Sequence, residues 1–598
     1  MANEFNRVFI EKVKNLKNKL AGPVTIDPAE RLNLWLNKKN EPIPELKFHK
    51  LNEDDLIKYI KKLKGKKTAG YDTIDSFLLK RAAPHIKSIL LHIVNLNIEE
   101  HFSNFWKIQL IRPSHKKSDK LIAENYRPVS NIPELSKIFE YAIFDQLIEH
   151  FLSNNLFHPN HHGFLPHHNT STALAQMVDL WLSAAEDQEL SATLLLDLSA
   201  AFDLVDHSIL LRKLKLYNLS DKSVELIKSY LSGRKQVVQV ETKLSDPLDI
   251  DDNAVPQGSI LGGLLFLIFE NDLPASSEHG ESVLYADDDS DIVSHPDPEI
   301  LQQMIQQKAD DSTRWFRDNG MVCSGDKTKL LVMGTKELRN MKLTTKGKTL
   351  EINVCGNIVK ETPSERLLGL TVQNDLSWTV YLHGNGLKGD KKTVGLLGQL
   401  SQRIGILKKV KCFMLPTQFN SVANGLFGSK LSFGIQVYGN VWGLPSMDDA
   451  VRRFHGFTKD DNRKLQVLQN KVMRLKTGLD YQTSTETLVK TCDELSVQQT
   501  TAYHTLMMIF KVVRFRKPSY LAKKLILQQP TDDGIFPHRH LNNIHVRAGL
   551  TLSRGGLVYR GAKLWNCMNP LLKSEEKILK FKKSVRKWII HNVPAKPP

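Results

Sequence analysis

SATLLLDLSAAFDLVDH (residues 191–207) and ESVLYADDDSDIV (residues 281–293) are short apolar runs of strand length that carry carboxylates. A buried strand avoids ionised groups, because an unpaired charge costs several kcal/mol to desolvate. Asp197 follows three leucines directly, so its carboxylate needs compensation. Taken alone it reads as a strand-end residue capping the next helix through Ser199 and Ala200, or as a metal ligand. The second run reads as a hairpin with Asp287 and Asp288 at its tip. If that tip lies beside the end of the Asp197 strand, three carboxylates can hold two Mg²⁺ ions about 3.5–4 Å apart, an arrangement that stabilises attacking and leaving oxygens. Side chains alternate along a strand, so Asp287 and Asp288 are equal ligands only where the turn breaks the pleat, and Asp287 ranks first. A calcium loop fails on DDDSD, because Ile292 takes its glycine position and Pro298 its bidentate glutamate position.

Outward from these runs, strands and helices interleave. SVELIKSYLSG (223–233) reads as a helix, QVVQVET (236–242) as a strand, and VPQGSILGGLLF (255–266) as a glycine-bearing turn entering a helix. Helical periodicity dominates before 190, as in LNEDDLIKYIKKLKGKK (51–67) and ELSKIFEYAIFDQLIEHFL (134–152), and again after about 380. Residues 1–45 read as a helix and a proline-bearing linker. The chain has 598 residues, about four domains' worth, with 41% hydrophobic and 25% charged residues, an ordinary globular composition.

The 82 basic against 65 acidic residues leave +17, so polyanions are natural partners. The longest apolar stretch, Ile260 to Phe269, is about half of what a membrane helix needs, and no membrane partner is expected. The amphipathic N-terminus, with Phe5, Phe9, Val13, Leu16 and Leu20 on one face, lacks a secretory signal's apolar core, which predicts a chain working in the cytoplasm and nucleus. Five cysteines, each at least 30 residues from the next, predict reduced thiols.

LLLDLSAAFDLVDH (194–207), VPQGSILGGLLF (255–266) and YADD (285–288) stand in the order and spacing of reverse transcriptases. ENYRPVSNIPELSKIFE (124–140), HHGFLPHHNTSTAL (161–174) and DKTKLLVMG (326–334) resemble those of non-long-terminal-repeat (LINE-like), jockey-related retrotransposons, as do SERLLGLTVQNDLSW (364–378) and LQVLQNKVMRLKTG (465–478). The resemblance implies an α+β right-hand polymerase with fingers, a palm built on an antiparallel sheet, a helical thumb and a mainly helical C-terminal region. On that pattern 1–45 is the N-terminal helix and linker, 46–190 fingers with part of the palm, 191–340 the palm, 341–480 the primer-grip hairpin and thumb, and 481–598 a basic helical region.

The implied activity is RNA-directed DNA polymerisation, adding dNTPs to a DNA primer on an RNA template. Asp197, Asp287 and Asp288 then bind the Mg²⁺ pair, which Mn²⁺ can replace. Phe202 matches a steric gate against the 2′-hydroxyl. Gln257 and Gly258 match the loop closing over the nascent base pair, and small Gly258 allows close backbone approach. Arg127 matches the residue neutralising the triphosphate, with Lys116 and Lys117 adding charge, and Lys327 matches a lysine near the leaving pyrophosphate, a general-acid candidate.

Leu165, His167, Gly263 and Asp289 depart from the family pattern. They leave room for a second reading, a domesticated RNA-binding protein without turnover. The LINE-like C-terminal half argues against intron maturases and telomerases. The histidines at 158, 161, 162, 167 and 168 read as a polar, template-contacting loop rather than a zinc site. KKLKGKK (61–67) reads as a nuclear-import signal or an RNA-facing surface, and EEKILKFKKSVRKWII (575–590) as a docked helix with a basic outer face. With no endonuclease region or CxxC knuckle in view, target nicking is not expected of these residues; integration by target-primed synthesis would need a nuclease acting in trans, or the sequence is one fragment of a longer polyprotein.

Overall fold

The computed structural model describes all residues except 21–22, 66, 117–118, 251–252, 386–393, 445–455, 528–541, 546–555 and 598. In chain order it begins with α1 (Ala2–Lys17), α2 (Pro28–Asn37), α3 (Glu53–Lys62) and α4 (Ser76–Glu99), followed by strands β1 (Ile108–His115) and β2 (Tyr126–Asn131). Next come α5 (Ser136–Ser153), α6 (Thr170–Glu186), β3 (Leu190–Asp197), α7 (His207–Leu216), α8 (Asp221–Leu231) and β4 (Lys235–Val240). Then follow α9 (Ile260–Phe269), β5 (Glu281–Tyr285), β6 (Asp288–His295), α10 (Pro298–Asp318) and β7 (Lys329–Met333). Two small hairpins pair 351–354 with 357–360 and 364–367 with 370–373. The remainder is helical, including α11 (Leu396–Val410), α12 (Lys459–Thr477), α13 (Val497–Phe515) and α14 (Ile578–Asn592).

Two sheets position everything that follows. The central one is antiparallel throughout, in the order β5-β6-β3-β7. Its strand alternation sorts the carboxylates. Thr193, on the face of β3 that also carries Asp197, accepts a hydrogen bond from Trp181 of α6 (2.8 Å), while Asp291 on the other face accepts from Ser312 of α10 (2.7 Å). The second sheet runs β2-β1-β4, with β1 antiparallel to β2 and parallel to β4. Helix α1 packs on it through Phe9, which joins Ile111 and Val238 in a small core, and Asn6 donates to Ser245 Oγ (2.9 Å).

Helix α9 is apolar all round because it is buried all round, from Leu261 to Phe269, and Ser259 caps it by accepting from Gly262 N (2.7 Å). One main core runs from Leu32 to Val497, while a second gathers Val441 and Leu444 with residues of α13 and α14 and with Ala175 of α6. Tyr520 and Lys524 both bond to the buried Asp179 of α6, docking the C-terminal helices there. Among the described residues no helix is long and apolar enough to cross a membrane.

One expectation needs correction. The proline-bearing stretch read as a linker contains α2: Pro28 occupies the first helical position, Asp27 accepts from Ala29 N (2.8 Å) and Leu32 is fully buried. Asp-Pro here is a helix start rather than a break.

Beneath the sheet, Lys213 is fully buried and donates from Nζ to the Phe269 carbonyl (2.7 Å) and to Asp272 Oδ1 (2.7 Å), while Trp315 Nε1 donates to Asp272 Oδ2 (3.0 Å). Breaking one side of a buried pair strands the other charge. Lys213→Ala is therefore expected to cost about 3–5 kcal/mol of stability, read as a lowered urea midpoint at unchanged slope.

Candidate functional site: a carboxylate cleft at the end of the central sheet

The register of β3 on β6 sets Asp197 directly opposite Asp288. Strands β5 and β6 are joined by two residues, Ala286 and Asp287, with Tyr285 opposite Asp288. Ala286 takes φ +57° to close this tight turn. The turn breaks the pleat, so Asp287 and Asp288 both reach the cleft, and the residue paired across to Asp197 is Asp288. Both side chains meet solvent, yet the surrounding protein strips part of their hydration. That loss, followed by the charges of Asp287 and Asp197, pushes the Asp288 carboxyl up to about 6. Asp287 is also raised, first by loss of hydration and then by Asp197, and Arg127 opposes the shift.

A cation already answers this negative charge. Lys327 Nζ lies 3.0 Å from Asp197 Oδ2, on the loop whose Ser324 N donates to the Asp197 carbonyl (2.8 Å). Among the described residues no three His, Cys, Asp or Glu side chains form a ready-made metal cage. The chemistry of the donors nonetheless fits a hard divalent cation: three carboxylates from two paired strands and their turn, mutually repelling, one of them neutralised by an ammonium.

Arg127 is exposed on β2 and its charge is felt at Asp287. Phe202 stacks on Phe266 (4.5 Å between ring centroids) and meets Phe164 edge-on (6.1 Å). Gln257 Nε2 donates to Asp203 Oδ1 (2.8 Å). Gly258 has φ +81°, and a Cβ there would stand 3.1 Å from the Ser130 carbonyl oxygen. Lys116 is exposed beside β1, and Lys117 lies outside the described residues.

The histidine-rich segment differs from its reading. His161 and His162 are buried rather than template-facing, and His162 bonds through its two ring nitrogens to Thr172 Oγ1 (2.9 Å) and Gln176 Oε1 (2.7 Å). Burial depresses His162 to about 3 and His158 to about 4, so both are neutral, and His162 is a strut holding α6. Leu165 is buried, and His167 stacks flat on Phe515 of α13 (3.9 Å), so two departures from the family pattern serve packing.

Sequence reasoning missed the layer behind the turn. His161 lies 3.9 Å from Glu270, and both are buried, with both imidazole nitrogens and Glu270 Oε1 unpartnered. Asp289, buried on the face opposite Asp288, also has both oxygens unpartnered. Burial, then Asp291, holds the Asp289 carboxyl well above the usual carboxylate range; burial, then Asp289 and Asp287, does the same for Glu270. Burial thus favours the neutral form of both carboxyls behind the cleft. Gly163 seals this layer: a Cβ there would lie 2.4 Å from the Ala286 backbone nitrogen.

Comparison with known proteins agrees with this geometry. Residues 114–372 match the family described as "Reverse transcriptase (RNA-dependent DNA polymerase)". Over 487 residues the chain is 26% identical to the probable RNA-directed DNA polymerase from transposon BS of Drosophila melanogaster, covering 80% of this chain and 50% of that protein. It is 26% identical over 451 residues to the RNA-directed DNA polymerase from mobile element jockey of Drosophila funebris, covering 72% and 44%. For the probable RNA-directed DNA polymerase from transposon X-element of Drosophila melanogaster, 26% identity extends over 426 residues, 69% and 42%. The chain thus spans half or less of the length of these relatives. The expected likeness to jockey-type reverse transcriptases is present, and the α+β architecture accords with it.

Proposed function

We propose that this chain, with a reverse transcriptase match over 114–372, polymerises DNA on an RNA template, adding dNTPs to the 3′-hydroxyl of a DNA primer. The observation that carries the reading is the strand register, which sets Asp197 opposite Asp288 with Asp287 in the adjoining turn. In this scheme the palm spans 191–340, between fingers at 46–190 and a thumb within 341–480, and work is divided between cytoplasm and nucleus.

Asp197 and Asp287, with Asp288 assisting, would hold two Mg²⁺ ions, Mn²⁺ substituting, and these supply activation of the hydroxyl and charge neutralisation at the phosphates. The chain's own residues do the rest. Arg127 and Lys117 bind the triphosphate, a planar guanidinium suiting bidentate contact with phosphate oxygens. Phe202, fixed by its stack on Phe266, leaves no room for a 2′-hydroxyl and so selects deoxynucleotides. Gln257 and Gly258 close over the nascent pair. The primer hydroxyl gives up its proton to solvent and attacks the α-phosphate in line, the bond between the α-phosphorus and its bridging oxygen to the β-phosphate breaks, and Lys327, held at Asp197, donates a proton to the departing pyrophosphate. Any nick in a target would come from an endonuclease acting in trans or from another part of a longer polyprotein.

The Lys327–Asp197 ion pair also favours the second reading, an RNA-binding protein without turnover in which the ammonium permanently occupies the cation's place. Extension of oligo(dT) on poly(A) with dTTP separates the two. Longer primers with Mg²⁺ or Mn²⁺, lost on adding EDTA and restored by excess cation, are expected. RNA binding without extension under either cation would leave only the binder.

A further inference from the structure

The end of β3 is held by residues 322–324. Ser199 N donates to the Val322 carbonyl (2.9 Å) and Ser324 N to the Asp197 carbonyl (2.8 Å), with Cys323 set opposite Leu198. Paired residues point to one face of a sheet, and alternation puts Leu198 on the face opposite Asp197. Cys323 therefore points to the side on which α10 packs. The hairpin of 351–360 docks on that same side: Gln306 of α10 donates to the Asn353 carbonyl (2.9 Å) and accepts from Asn353 N (2.8 Å). Its two-residue turn is Cys355 and Gly356. Beside this turn Gly325 comes so close that a Cβ there would stand 2.5 Å from the Val354 carbonyl oxygen and 2.6 Å from Asn357 Nδ2. Across this contact the thiols of Cys323, half-buried, and Cys355, exposed, face one another. Their hydrogen bond lowers Cys355 to about 7, against burial and the charge of Asp310, and it raises Cys323, which burial raises further. The thiolate is the reactive form of cysteine, and the exposed partner is the one inclined to it.

We infer that Cys323 and Cys355 close into a reversible disulfide, and that closure slows primer extension by displacing the backbone that holds Asp197. The second half rests on the polymerase reading; the first does not. The oxidant is a low-molecular-weight disulfide such as oxidised glutathione. The Cys355 thiolate attacks one of its sulfurs, forming a mixed disulfide and expelling a first small thiolate. Cys323 loses its proton, and its sulfur attacks Cys355 Sγ and expels a second small thiolate. The protons given up by the two protein thiols pass to the two small thiolates, so one disulfide is made and one is reduced. Closure brings the sulfurs to about 2.05 Å, well inside any non-bonded contact. The hairpin is anchored to α10 by Gln306, so segment 322–324 gives way, and Ser324 and Lys327 draw Asp197 with them. In a reducing compartment the pair stays open.

The test holds the full chain in buffers of reduced or oxidised glutathione, then reads a non-reducing digest by mass spectrometry and oligo(dT) extension on poly(A). Oxidised glutathione is expected to join the peptides of Cys323 and Cys355 and to lower kcat on the order of tenfold or more, with RNA affinity unchanged. Dithiothreitol should reverse both. Cys355→Ser, at an exposed turn, should extend at the reduced wild-type rate and lose the response to oxidation. Cys323→Ser should do the same, and Cys355→Ser carries the test if the half-buried variant does not fold. No linked peptide, a linked chain extending at the reduced rate, or a Cys355→Ser chain as sensitive to oxidation as wild type would overturn the inference. Reduced wild type that extends no primer would refute the polymerase reading instead. The linked peptide then still tests the bond, and Mn²⁺ uptake followed by electron paramagnetic resonance tests the coupling: weaker uptake by the linked chain sustains it, and equal uptake overturns it.

Discussion

Asp197→Asn is expected to lower primer extension by about three orders of magnitude or more while leaving RNA affinity and its salt dependence unchanged. The substitution keeps size and hydrogen-bonding capacity but removes the charge that lies opposite Asp288 and already attracts Lys327. Metal-borne charge neutralisation at a transferring phosphoryl group is worth several kcal/mol, and a neutral amide in place of one of three carboxylates forfeits most of it. Proteins grip RNA phosphates through Lys and Arg, so RNA affinity is not expected to register the change. Asp287→Asn should behave alike. Extension undiminished in either variant would remove these carboxylates from the chemistry.

A second large effect is expected at a residue with no chemical function of its own. Gly163→Ala adds one methyl, yet its Cβ would stand 2.4 Å from Ala286 N and 3.1 Å from Ala286 Cα, atoms of the turn that presents Asp287. Backbone cannot rotate away as a side-chain tip can, so the turn must shift. A displacement of about 1 Å at a reacting centre costs on the order of a hundredfold in rate. The variant is expected to lose that much kcat while retaining its RNA affinity and most of its urea stability, because the clash is confined to one turn. Wild-type kcat would show that the turn tolerates displacement.

The parts of the site legible in the sequence were those whose chemistry opposes their surroundings. Asp197 after three leucines and paired aspartates between strand-like runs have no simple structural use, and their order along the chain fixed a resemblance that no single motif could. The hairpin turn was legible from its length, and Gly258 from the company of Pro256 and Gln257. What escaped notice depends on contacts between distant segments. The ion pair of Lys327 with Asp197 spans 130 residues and has no local signature. His161 and His162 looked like loop residues because polarity suggests exposure, whereas α6 and Glu270 enclose them. Asp289 was visible only as a departure from the family pattern. Period-two alternation does signal that it faces away from Asp288, toward the buried side of the sheet. The helix at 28–37 was hidden by its own proline, which marks a start when an aspartate precedes it.

The claim on which the chemistry depends is that carboxylates from β3 and from the β5–β6 turn serve one cation site. Electron paramagnetic resonance of free Mn²⁺ during titration with the protein measures this without turnover. Wild type is expected to take up Mn²⁺ in competition with Mg²⁺, and Asp197→Asn and Asp287→Asn each to abolish the same uptake. Mn²⁺ uptake by both variants indistinguishable from wild type would contradict a shared site.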